Sequence, residues 1–229
     1  MSHAVRSNPE PLVLPRGLIF VSSLWLIGSW VLTIGLHPPI QPSSATYEPG
    51  VRLMLLAITV GLVVAWPLLR LSQRPMPYPI RQTILDMVVL LSLVQVVIWL
   101  LRLLTSWSVA RMTAIDATMA SWIMLIGAVI ASATATRTPG PRMLAMAACI
   151  ALAMAGPATS WLAEALQMSA PGLAKLSPFV AVGDLVETSG GSQPTAAEWR
   201  WVMTQAGGAA LVWAVVFVLR VFRRAHVGA

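Results

Sequence analysis

The sequence is poor in the side chains that most often carry chemistry. Its 229 residues include one cysteine, three histidines and eight acidic residues. The lone cysteine, Cys149, excludes a disulfide within the chain and any cysteine-based metal cluster. His3, His37 and His226 lie near the chain ends or in one loop, and none lies in an apolar stretch where a haem ligand is expected. We therefore expect no cofactor and no metal.

Familiar catalytic motifs are also missing. The chain contains no His-Glu-x-x-His, no Gly-x-Ser-x-Gly and no glycine-rich phosphate-binding loop. The apolar stretches do not contain the pair of carboxylates that a membrane-embedded enzyme would need at one depth. The sequence therefore predicts a protein that is not an enzyme.

What the chain has instead is six long apolar stretches, each near the length of about 20 residues with which a helix crosses a bilayer core of about 30 Å. Backbone polar groups find no water in hydrocarbon, so such stretches must be helical. The sequence predicts an all-α integral membrane protein, a six-transmembrane-helix bundle forming one domain over residues 1–229. The predicted spans cover residues 17–36, 51–69, 84–104, 117–136, 143–161 and 206–221.

The basic residues are distributed unequally over the two sides of these spans. Lys and Arg flanking short loops stay preferentially in the cytoplasm, and ten of the fifteen basic residues share one side. We therefore predict that both termini are cytoplasmic, in the plasma (inner) membrane. The net charge of +7 then reflects contact with the lipid bilayer and its anionic head groups, and no nucleic-acid partner is expected. The ten are Arg6, Arg16, Arg70, Arg74, Arg81, Arg137, Arg142, Arg220, Arg223 and Arg224.

The cytoplasmic loop over residues 70–81 has prolines at three alternate positions, which favours an extended, stiff connection. Arg70, Arg74 and Arg81 make this loop a candidate docking surface for a cytoplasmic partner. The alternative is a rigid turn that presents the arginines to lipid phosphates.

The longest predicted loop, about residues 162–205, lies on the outer side and is partly apolar. Residues 174–186 are apolar enough to lie at the membrane surface or to re-enter it, and residues 161–168 suggest a short amphipathic helix. Thr195 and Glu198 have the spacing of a capping box. The last helix is therefore expected to begin outside the membrane.

Few polar or helix-breaking residues fall within the spans, and each needs an explanation. Asp86 is expected either to pair with Arg81 or to meet solvent. The alternative is that it lines a translocation path through the bundle. Gln95 is expected to form an interhelical hydrogen bond. A break or kink is expected at Gly156 and Pro157, and with Asp86 and Gln95 these two are the candidate path or gating residues.

Three further contacts are expected between or beside the spans. Arg102 and Asp116 flank an outer turn and are expected to pair across it. Deep tryptophans pack between helices, and small residues allow close helix contacts. The tryptophans are Trp25, Trp99, Trp122 and Trp213; the glycines are Gly28, Gly61, Gly127, Gly156, Gly207 and Gly208.

The six spans, the outer segment containing Leu176-Ser-Pro-Phe-Val-Ala-Val-Gly-Asp-Leu185 and the basic tail over residues 220–224 together resemble the membrane subunit of ABC exporters of the type-two class. The resemblance covers topology throughout and sequence over the last third. It implies short helices that dip into the membrane before the last span, a separate cytoplasmic ATPase subunit, and dimerisation. The proline-bearing N-terminal segment and the proline-rich loop depart from the family pattern.

Two functions are therefore expected. The first is a permease subunit of a multi-subunit transporter, energised by a separate ATPase. The alternative is a non-catalytic scaffold or anchor subunit of a larger membrane complex. Either allows a homo- or hetero-oligomer.

Overall fold

The computed structural model describes residues 15–36, 38, 40–73, 78–136, 138–166, 176–187 and 192–227. All regular structure in these ranges is helical. The helices are α1 (Arg16–Trp30), α2 (Ser44–Val60), α3 (Trp66–Ser72), α4 (Pro79–Leu101), α5 (Val109–Thr134), α6 (Gly140–Leu166), α7 (Pro178–Glu187) and α8 (Ala196–Val227).

Two π-helical turns extend these elements. Val31–Gly35 continues α1, and Gly61–Ala65 joins α2 to α3. With them, six helical segments are long and apolar enough to cross a membrane, which confirms the predicted all-α, six-span architecture. The six segments are Arg16–Gly35, Ser44–Ser72, Pro79–Leu101, Val109–Thr134, Gly140–Ala165 and Ala196–Arg220.

Local sequence signals set where several helices begin. Ser43 caps α2 with Thr46, and the Ser108 side chain accepts a hydrogen bond from the backbone of Arg111 at the start of α5. Pro79 occupies the first turn of α4, where a missing N–H costs nothing. Because α5 begins at Val109, it starts eight residues before the predicted apolar stretch.

Helix α5 is the centre of the bundle. In its most apolar window 67% of residues are buried, against 11% for α1 and 17% for α8. It packs against α3, α4, α6, α7 and α8. The other helices surround it and leave large apolar side chains exposed, such as Phe20, Leu144 and Leu211. That is the distribution expected of helices that face lipid tails.

Contacts between distant residues define the two ends of the bundle. At one end, where α1 begins and α3 ends, Arg142 Nη1 donates to the carbonyl of Gln73 at 3.0 Å; we call this the basic end. At the opposite end Ser106 donates to Glu48 at 2.9 Å; we call this the far end. Successive spans therefore alternate in direction.

Two tryptophans join neighbouring helices as predicted. Trp25 donates from its indole Nε1 to the carbonyl of Ala57 at 3.0 Å, and Trp213 donates to that of Met124 at 2.8 Å. A Cβ on Gly61 would lie 2.7 Å from the Trp25 ring, and one on Gly127 would meet Met87. These glycines therefore permit close approach, whereas Gly28, Gly207 and Gly208 have nothing within 4 Å of that position.

Helix α6 is not interrupted where a break was expected. It runs from Gly140 to Leu166 with Pro157 inside it. Pro157 is exposed while Gly156 is buried, so the proline ring lies on the outer side of the helix. Residues 161–166 belong to α6, not to a separate amphipathic helix, and residues 167 and 168 lie outside the described residues.

Candidate functional site

A short helix lies among the long ones near the far end. Helix α7 packs against α2, α5 and α6, and its apolar face is buried through Pro178, Ala181, Val182, Leu185 and Val186. Residues 178–186 of the predicted apolar segment thus belong to a helix whose apolar face is covered by protein, while Asp184 on its other face is exposed.

The first turn of α7 is pressed against α6 at Gly156. A Cβ on Gly156 would lie 2.6 Å from both Cβ and Oγ of Ser177, and 2.7 Å from Cγ2 of Val180. Ser177 is completely buried. Gly156 lies sixteen residues after Gly140, about 24 Å along α6 at 1.5 Å per residue. The start of α7 is therefore well inside the length of a membrane-spanning helix.

The last turn of α7 is held by Arg111, a completely buried arginine in the first turn of α5. Its Nη1 donates to the carbonyl of Leu185 at 2.7 Å. Its Nε and Nη2 donate to the carbonyl and hydroxyl of Ser192 at 3.0 and 3.1 Å, and Nη2 also donates to the carbonyl of Gln193 at 3.3 Å. One guanidinium therefore joins both sides of the connection between α7 and α8.

Glu198 supplies the counter-charge for this arginine. Its Oε1 lies 3.4 Å from Arg111 Nη1. Its Oε2 accepts from the backbone N–H of Thr195, while the Thr195 hydroxyl accepts from the backbone of Glu198 at 3.2 Å. The predicted capping box is confirmed, and the same carboxylate ties the start of α8 to α5.

At the basic end, Asp86 pairs with Arg70 and not with Arg81. Arg70 Nε lies 2.8 Å from Asp86 Oδ2, and the Asp86 side chain is 1% exposed. Gln82 donates to Asp86 Oδ1 at 3.2 Å. Arg81 instead lies over the ring of Tyr78, 5.8 Å from its centroid. The ion pair joins α3 to α4 across the proline-rich loop.

Nearer the far end, the predicted interhelical role of Gln95 is confirmed. Its Nε2 donates to both carboxylate oxygens of Asp116, at 3.0 and 2.9 Å. The expected pairing of Arg102 with Asp116 is wrong, because Asp116 lies two turns inside α5 and faces α4. Gln95 and Asp116 are both half-buried.

The three arginines predicted to dock a partner differ in their surroundings. Arg70 is bound within the bundle, since it also donates to the Gln73 side chain at 2.7 Å. Arg81 is exposed. Arg74 lies outside the described residues. Arg142 is partly buried: its Nη1 donates to the Gln73 carbonyl, and its Nε and Nη2 are buried.

The sequence did not single out Arg111. Its only signal was an arginine at the edge of a predicted span, which was counted with other outer arginines. Its partners lie 74 to 87 residues away, and no local pattern connects them to it. The Arg70–Asp86 pair had a weak signal, since an acid within a span needs a cation.

Within the described ranges, no three His, Cys, Asp or Glu side chains lie close enough to hold a metal ion. The described residues instead form a short helix that is held at one end by steric fit and at the other by charge. Comparison with protein-family models, with curated proteins and with solved structures finds no match to this chain.

Proposed function

We propose that this chain is a membrane-spanning permease subunit of a multi-subunit transporter, with the basic end and both termini in the cytoplasm of a cell whose plasma (inner) membrane holds it. The observation that carries the proposal is helix α7, a short helix that begins against Gly156 inside the bundle and ends at Arg111 near the far end.

Short helices at membrane depth occur only in particular surroundings within a protein. Their ends leave unpaired backbone groups at membrane depth, and these are tolerated only where protein or a water-filled cavity surrounds them. Transporters use such elements next to their substrate route. An anchor that only holds a complex in the bilayer needs long helices alone.

The contacts that hold α7 at its two ends are compatible with an element that moves. The Gly156 end is a steric contact without charge, whereas the other end depends on one arginine. If Arg111 releases Leu185 and Ser192, α7 can leave its position among α2, α5 and α6. In this proposal α7 forms the gate together with Gly156 and Pro157 of α6. Asp86 and Gln95 act by holding α4 to its neighbours.

The basic end provides the surface for the energising subunit. Exposed Arg81 is a cation on the cytoplasmic side in this orientation, and Asp86, the one acid of this end in the described chain, is buried against Arg70. An acidic surface of a cytoplasmic ATPase would complement this charge. The proposal therefore places ATP hydrolysis in a separate subunit, as in an ABC exporter.

A scaffold or anchor subunit is the second candidate. It is favoured by the internal pairing of the polar side chains in the spans, because Asp86 and Asp116 both have partners within the chain. In that case α7 serves to fill the bundle and does not move.

Affinity purification of the tagged full chain in a mild detergent, followed by mass spectrometry, tests the proposal. The expected result is recovery of a nucleotide-binding ATPase, lost on Arg81→Glu and retained on Arg200→Glu, an exposed arginine of the far end. Recovery of other membrane subunits without an ATPase would overturn the permease assignment and support the scaffold.

A further inference from the structure

A groove runs along the outside of the bundle between α1 and the continuous segment formed by α2, its π-helical turn and α3. Its volume is about 440 Å³. We call it the α1 groove. On the α1 side its lining includes Leu18, Val21 and Trp25, and on the other side Ala65, Trp66 and Ser72.

The groove extends over about one leaflet of a bilayer. It begins at the basic end, beside Leu18 and Ser72, and its wall continues to Ile58. Fourteen residues separate Ser72 from Ile58, about 21 Å at the helical rise of 1.5 Å per residue. The hydrocarbon core is about 30 Å thick, so a groove that begins at the membrane surface ends at or slightly beyond the membrane centre.

Trp25 narrows the deep end of the groove. Its indole donates to the Ala57 carbonyl at 3.0 Å, and its ring lies against Gly61, where a Cβ would come within 2.7 Å of Nε1. The indole N–H is therefore occupied, and the ring presents an apolar surface to whatever fills the groove.

The groove opens sideways, towards the surroundings of the bundle. Val21 and Trp25 are 47% and 41% exposed, and Ala65 is exposed on the opposite wall. The lining is almost entirely apolar, and the Ser72 hydroxyl already donates to the Leu69 carbonyl at 2.9 Å. Such a surface at this depth contacts hydrocarbon.

The dimensions of the groove suit a narrow occupant. A helix with its side chains is about 10–12 Å across, whereas an alkyl chain is much thinner. Clefts of 300–1,000 Å³ hold small ligands, and an extended alkyl chain fits a slot that is long, narrow and apolar.

The charge at the open end of the groove determines which lipid head group the groove favours. The exposed Arg16 begins α1 at the level of Leu18. The charge of Arg70 in α3 is matched by Asp86, the one acidic residue of this end within the described ranges, which is buried against it. The positive charge that attracts a phosphate to the groove entrance is therefore that of Arg16.

We propose that the α1 groove binds one acyl chain of an anionic glycerophospholipid from the leaflet at the basic end, with the lipid phosphate held by Arg16. The inference requires only that the helices lie in a bilayer and does not rest on the transport proposal.

Two variants that fill the groove test whether it binds an acyl chain. The full chain is reconstituted in vesicles of phosphatidylcholine that contain a minor fraction of phosphatidylglycerol with brominated acyl chains, and quenching of tryptophan fluorescence is measured. Trp25 and Trp66 line the groove, so a bound brominated chain quenches them. Ala65→Phe and Val21→Phe fill the groove from opposite walls and should reduce this quenching. Ala151→Phe, at an exposed alanine of α6, should leave it unchanged.

Two arginine variants test whether Arg16 holds the head group of an anionic lipid. Arg16→Gln should lower the preference for brominated phosphatidylglycerol over brominated phosphatidylcholine by about fivefold, the equivalent of ~1 kcal/mol for one arginine near a charged surface. Arg200→Gln at the far end should not change the preference. Thermal unfolding in detergent identifies variants that have lost their fold, and either filling variant that stays folded suffices.

Each contrary outcome is distinct from failure of the permease proposal, which depends on an ATPase partner. Equal quenching in the folded filling variants and the wild type would show that only the surrounding lipid reaches the tryptophans, and would overturn the site. Equal quenching by the two brominated lipids in the wild type would overturn the anionic head group.

Discussion

The guanidinium of Arg111 donates a 2.7 Å hydrogen bond to the backbone carbonyl of Leu185, seventy-four residues further along the chain. The arginine begins α5 and the leucine is in the last turns of α7, so this contact fixes a short helix to the central helix of the bundle. The same side chain reaches Ser192 and Glu198.

Replacing Arg111 is expected to release α7. Arg111→Ala leaves the carbonyls of Leu185, Ser192 and Gln193 without their donor and Glu198 without its counter-ion, and removal of one member of a buried charge pair costs about 3–5 kcal/mol. We expect a lower thermal unfolding temperature in detergent. We also expect Ser177→Cys, introduced with Cys149→Ala, to react with a membrane-impermeant maleimide only when Arg111 is replaced, because Ser177 is otherwise completely buried.

The matched control is Arg102→Ala. Arg102 is an exposed arginine of the same end, so its loss should change neither the unfolding temperature nor the labelling. Labelling of the cysteine at position 177 to the same extent with and without Arg111 would show that the arginine does not hold α7.

Gly156→Ala should disturb the other end of α7. The new Cβ would come within 2.6 Å of Ser177, so α7 must move away from α6, and overpacking of this kind costs about 1–3 kcal/mol. Gly208→Ala is the control, since open space surrounds that position and alanine favours the helix by roughly 1 kcal/mol. Thermal unfolding of the two variants should shift in opposite directions; a stabilised Gly156→Ala protein would contradict the tight contact.

The Arg70–Asp86 pair should behave as a coupled buried unit. Arg70→Met and Asp86→Leu each leave one charge without its partner, for an expected loss of about 3–5 kcal/mol. The double variant removes both charges and should be closer to the wild type than either single variant. Unfolding free energies of the four proteins give the coupling energy directly.

An exposed ion pair of the same chain provides the comparison. Arg52 and Glu48 approach to 4.0 Å with the arginine 33% exposed, and pairs of this kind contribute about 0–1 kcal/mol. Arg52→Gln should therefore have a small effect. Additive losses at Arg70 and Asp86 would mean that the two side chains do not depend on each other.

The sequence was sufficient for features that depend on local patterns. Apolar length predicted the six spans, and the spacing of Thr195 and Glu198 predicted the start of α8 before its apolar stretch. The polarity of Gln95 within a span predicted its hydrogen bond to another helix, because an amide in hydrocarbon needs a partner. In each case the physical requirement acts within one helix or on one side chain.

The features that sequence did not reveal depend on which helices become neighbours. Asp86 needed a cation, but the choice between Arg70 and Arg81 follows from how α3 returns beside α4. Asp116 appeared to lie in a turn because the apolar stretch begins after it, whereas the cap at Ser108 starts α5 earlier. Gly156 and Pro157 suggested a break or a kink, yet α6 continues through them without a break, with Pro157 exposed.

The indole hydrogen bond of Trp213 should contribute to stability apart from the size of the ring. Trp213→Phe removes the bond to the Met124 carbonyl, 2.8 Å long, and such a bond contributes about 1 kcal/mol.

Trp122→Phe is the matched control: Trp122 is similarly buried, at 5% against 7% exposed, and its Nε1 has no hydrogen-bond partner within the described part of the chain. Both variants lose the same ring volume, but only Trp213→Phe removes a hydrogen bond, whereas Trp122→Phe removes a buried N–H without a partner in the described part of the chain. We expect Trp213→Phe to lose about 1 kcal/mol more than Trp122→Phe. Equal losses would mean that Trp213 joins α8 to α5 by packing alone, and Gly127 would then matter for the room it leaves to Met87 and not for the approach of the indole to the α5 backbone.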